Sequence, residues 1–125
     1  MSRRDRNHER CADLLRKASR PLIVPSLVVT EVAYFLGDRL GADAEIAFGR
    51  AIAGGELAVE PVAAADWSRM VELAHQYSSL PLGLVDASVV AVTERLGVET
   101  IATLDRKHFT AIRPRHVAAF ELLPA

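Results

Sequence analysis

The stretch Leu22-Ile23-Val24-Pro25-Ser26-Leu27-Val28-Val29-Thr30-Glu31-Val32 decides how this chain folds. Leu22-Ile23-Val24 is a short apolar run held between Pro21 and Pro25. A run of that length and composition, bounded by prolines, reads as a buried strand. Ser26 then stands where a helix N-cap belongs, and behind it Val28, Val29, Val32, Leu36 and Leu40 recur at helical spacing until Gly41. A buried strand feeding an amphipathic helix is the building unit of α/β proteins.

The pattern continues on both sides. Before the strand, Cys11, Leu14, Leu15 and Ala18 form one apolar stripe, predicting a helix over residues 7–18. After Gly41, a second helix is predicted from near Ala42 to the Gly54-Gly55 pair, then a strand over residues 57–62. Asp66 is the expected cap of the next helix, with Trp67, Met70, Val71, Ala74 and Tyr77 on its apolar face; Trp67 and Tyr77 are therefore expected in the core rather than as base-stacking platforms. Pro81 and Gly83 break the chain, Leu84 to Leu96 is a strongly apolar helix stopped by Gly97, and strands are predicted over residues 100–104 and 120–123. Strands alternating with helices imply a parallel sheet flanked by helices, within one domain spanning residues 1–125.

Composition narrows the function. The 125 residues carry 15 Lys plus Arg against 16 Asp plus Glu, a net charge of −1. A protein that coats nucleic acid would be plainly basic, whereas an enzyme can hold RNA through a local patch and metal ions. The lone Cys11 cannot form an internal disulfide, which fits a reducing compartment. No apolar run reaches the roughly 18 residues of a membrane span, and no apolar signal core follows the charged start, so a cytoplasmic location and no membrane partner are expected.

Three carboxylates stand apart from the rest. Asp13, Asp38, Asp43, Glu45, Glu72 and Glu94 lie among polar neighbours or at helix ends and read as solvated. Glu31, Asp86 and Asp105 are embedded in apolar sequence: Glu31 within Leu27–Leu36, Asp86 within Leu82–Val90, and Asp105 at the end of Thr100-Ile101-Ala102-Thr103-Leu104. A buried carboxylate is costly unless it is paired or bound to a cation. Parallel sheets build their sites at the C-terminal ends of strands, where these three can converge. Carboxylates without His or Cys favour Mg²⁺ or Mn²⁺, and such a site activates water against a phosphodiester. Taken one at a time, each acid also has a plain structural reading: a helix-start acid as cap or dipole partner, a strand-end Asp as turn-former.

The ordered set resembles the PIN-domain nucleases, and within them the VapC ribonuclease toxins. Pro25-Ser26-Leu27-Val28-Val29-Thr30-Glu31-Val32 resembles the family's second acidic motif, Leu84-Val85-Asp86-Ala87-Ser88-Val89-Val90-Ala91 its third, and Ile101-Ala102-Thr103-Leu104-Asp105-Arg106-Lys107-His108-Phe109 its fourth. The resemblance implies a Mg²⁺- or Mn²⁺-dependent endoribonuclease with Glu31, Asp86 and Asp105 holding the metal and Thr103 as a site-adjacent hydroxyl. It also implies a homodimer, an RNA substrate and a VapB-like antitoxin as partners. Arg106, Lys107, His108, Arg113, Arg115 and His116 make the region after Asp105 locally basic, and the four Lys and Arg residues are expected RNA contacts.

The start departs from the family pattern. The first, central strand ending in an Asp, and the short helix after it, are not found ahead of the helix carrying Cys11. Asp5 has no apolar strand before it and reads as a loop residue; His8 reads as a helix-start residue. The expectation is a PIN-like domain incomplete at its N-terminus, with the natural start upstream. Two other readings are weighed: a catalytically incomplete PIN domain serving as an antitoxin-binding or dimerisation module, and a phosphoacceptor receiver domain. The latter needs an acidic pair after its first strand and a Lys after its last, and neither is present.

Overall fold

The computed structural model describes residues 22–103 and 106–123; the helix read over residues 7–18 lies outside them. β1 (Leu22–Pro25) runs directly into α1 (Ser26–Leu40). Pro25, not Ser26, occupies the cap position, at φ −59° and ψ 142°, and no side-chain hydrogen bond caps the helix. Ser26 is already the first helical residue: with its fixed φ, proline makes the turn from strand to helix and the serine hydroxyl is not needed there. Gly41, at φ 97°, ends α1, and its amide donates back to the Leu36 carbonyl at 3.0 Å. α2 (Ala42–Ala53) follows, and then β2 (Leu57–Glu60) pairs parallel to β1, with Leu22 opposite Leu57 and Val24 opposite Val59.

α3 (Ala64–Gln76) and α4 (Leu84–Leu96) form an antiparallel pair. Charge ties the N-terminal end of α3 to the C-terminal end of α4. Arg69 grips the Glu94 carboxylate through two bonds of 2.7 and 2.9 Å, and Arg95 reaches Asp66 at 3.1 Å and the Pro61 carbonyl at 3.1 Å. Glu94 therefore is not solvated as its polar sequence neighbours suggest: its side chain is 10% exposed. Asp66 is not the cap either. It sits at the third position of α3, buried, and accepts the Ala63 amide at 2.8 Å, the reaching-back half of a capping box.

β3 (Thr100–Ala102) pairs parallel to β4 (Glu121–Leu123), Ile101 opposite Leu122, and the short α5 (Arg106–Ala111) lies between them in sequence. The core gathers in this half: Met70 and Leu73 from α3, Ala87, Val90 and Ala91 from α4, with Ile101, Phe109, Ile112, Phe120 and Leu122. The buried stripe of α3 runs through Asp66, Met70 and Leu73, with Tyr77 packed against the core just past its end. Trp67 falls outside that stripe and is 45% exposed, so it is not the core residue that its spacing from Met70 suggests. α1 and α2, by contrast, bury no residue fully.

The expected single sheet is not continuous among the described residues. The strands form two two-stranded parallel sheets, β1 with β2 and β3 with β4. Between the facing edges of β1 and β3 lies an apolar cleft of about 490 Å³, walled by Val24, Val28, Val89, Val92, Ile101 and Ala102 among others.

Candidate active site

Asp86 is placed at the third residue of α4, after Gly83 at the cap position. The same position in α3 belongs to Asp66, which accepts the amide of its cap residue and is buried. The carboxylate of Asp86 faces His108 from α5, with Oδ2 3.5 Å from Nδ1, and its side chain stays 33% exposed. A negative charge in the first turn of α4 is favoured by the helix dipole, so the fold accommodates Asp86 as an anion that solvent or a ligand can reach.

His108 belongs to a short helix inside the basic stretch that follows Asp105 in sequence. α5 spans only Arg106–Ala111, too short for a helical period to register. It turns Phe109 into the core, with Ile112 buried just past its end, and leaves His108 partly exposed, with its Nε2 3.3 Å from the Leu80 carbonyl in the turn before α4. Thr103 directly follows β3, half-buried, and its amide donates to the Leu123 carbonyl at 2.8 Å, which fixes its backbone to β4.

Glu31 lies in the second turn of α1 and is exposed, not partly buried as its apolar neighbours suggest. It lines a shallow, mostly apolar depression with Thr30, Val32, Tyr34 and Phe35. Tyr34 and Phe35 are 75% and 50% exposed, and the Arg39 guanidinium stands over the Phe35 ring at 5.6 Å. Asp105 and the side chain of Arg106 lie outside the described residues. Among the described residues, no three His, Cys, Asp or Glu side chains come together as a metal-holding group.

Of the expected RNA contacts, Lys107 is exposed. Arg113 and Arg115 are hydrogen-bonded within the chain. The Arg113 guanidinium donates to the Thr110 carbonyl at 2.6 Å, and its amide donates to the Tyr77 hydroxyl at 3.0 Å. The Arg115 amide donates to Glu94 at 2.8 Å, and its guanidinium pairs with Glu72 at 3.0 Å. Glu94 thus sits under Arg69 and Arg115 together. Burial works to raise its pKa, but the Arg69 hydrogen bonds and charge and the Arg115 amide outweigh it, and the net shift is downward. Arg69 is raised in turn, chiefly by its bonds to Glu94. This cluster welds α3 to α4 and was invisible in sequence, because its members are 21 to 43 residues apart.

The profile of the PIN-domain family matches residues 1–113. The chain belongs to the PIN-domain family. Within it, this PIN domain is homologous to the VapC ribonucleases of toxin–antitoxin systems: it is 32% identical over 118 residues to Ribonuclease VapC26 of Mycobacterium tuberculosis (strain ATCC 25618 / H37Rv), an alignment covering 94% of this chain and 87% of that protein. Its fold is similar to the crystal structure of M. tuberculosis VapC20, described as a sarcin-ricin loop cleaving toxin, at a TM-score of 0.68 and 21% identity, covering 75% of this chain and 72% of that one. The α/β PIN fold read from the three acidic motifs is therefore the fold of this chain.

Proposed function

We propose that this PIN domain is a Mg²⁺- or Mn²⁺-dependent endoribonuclease, the toxin of a toxin–antitoxin pair, with Glu31, Asp86 and Asp105 as its metal-holding carboxylates. The observation that carries the reading is Asp86. In a fold homologous to ribonucleases, it is a carboxylate 33% exposed in the first turn of α4, facing His108. Carboxylate oxygens without cysteine are the donor set of a hard divalent ion. When bound, such an ion polarises a phosphoryl oxygen and lowers the pKa of the attacking water. The chain's own residues do the rest. In this reading Asp86, in the first turn of α4, and Asp105 supply negative charge to the ion, and Thr103, directly after β3, supplies a hydroxyl. Arg106 and Lys107 open α5 directly after Asp105, where they can draw in a phosphate backbone. Arg113 and Arg115 add to the positive field while staying anchored to Thr110 and Glu72.

The exposed Tyr34 and Phe35 beside Glu31 support a protein partner, a VapB-like antitoxin that covers this face and so closes the site. Leu40 and Ile46, 59% and 51% exposed on α1 and α2, support self-association into a homodimer. The cytoplasm, where RNA and antitoxin meet, is its place of action. None of the described helices is long and apolar enough to cross a membrane.

One rival is favoured by the fact that, among the described residues, no three carboxylates come together as a metal-holding group: a binding module that engages antitoxin or a second copy and cuts nothing. Asp86→Asn and metal chelation separate the two. A ribonuclease loses cleavage under both, while a binding module keeps its partner and is indifferent to either.

A further inference from the structure

We draw no further inference here: the strongest candidate, the apolar cleft of about 490 Å³ between the facing edges of β1 and β3, is an unpartnered apolar surface, and nothing among the described residues shows what covers it.

Discussion

At the scale of single residues, charge placement separates what is structural from what is available for chemistry. Asp66 and Asp86 occupy equivalent helical positions, yet one is consumed by its cap amide and Arg95, and the other faces His108 and solvent. Asp86→Asn is therefore expected to leave the fold intact within about 0.5 kcal/mol, as a partly exposed site away from core packing should, while abolishing metal-dependent cleavage; a thermal melt beside a cleavage assay checks both. Glu94 is the converse case. Leaving Arg69 uncompensated by Glu94→Ala should cost roughly 3 kcal/mol, readable as a lower denaturant midpoint. Its pKa is depressed below the ordinary 4.5, so its contribution to stability is complete above that value and is lost as the pH falls through the folded pKa. Glu94→Gln should accordingly flatten the acid limb of the stability profile below about pH 4.5. An unchanged acid limb would remove Glu94 from the account.

At the scale of elements, punctuation was the legible part. Gly41 and Gly97 end α1 and α4 where the sequence places the stops, and both sit at positive φ, 97° and 71°, where a side chain is strained. Gly97→Ala should cost about 1 kcal/mol, measured by urea titration, whereas an alanine at Gly49 inside α2, where nothing lies within 4 Å of the added methyl, should be neutral or stabilising. What periodicity could not supply was the face of a helix with mixed surroundings. In α3 the stripe through Trp67, Val71 and Ala74 and the stripe through Asp66, Met70 and Leu73 both fit a helical spacing. The second is buried because Arg95 neutralises Asp66 from the neighbouring helix. The six-residue α5 escaped for lack of length, and with it the placement of His108. An acid inside an apolar run drew attention to Glu31 and Asp86, but only Asp86 is partly buried, and Glu31 stands exposed. The meeting of Asp86 with His108 left no trace in local sequence, because the two lie on different elements.

At the scale of the whole molecule, the parallel order of the strands was readable from the alternation of elements, but the division into two half-sheets was not. Periodicity assigns strands without saying which edges meet. The fully buried core lies with α3, α4, β3, α5 and β4, while α1 and α2 remain half-buried beside an apolar cleft.

The most direct test of the central claim is cleavage of RNA by the chain in Mg²⁺ or Mn²⁺ and in chelator, beside Glu31→Gln, Asp86→Asn and Asp105→Asn in the same background. The account predicts cutting that requires the metal and is lost in each of the three variants while their folds persist. Folded variants that cut as well as the parent, or a folded parent that binds a partner yet leaves RNA intact in metal, would contradict it.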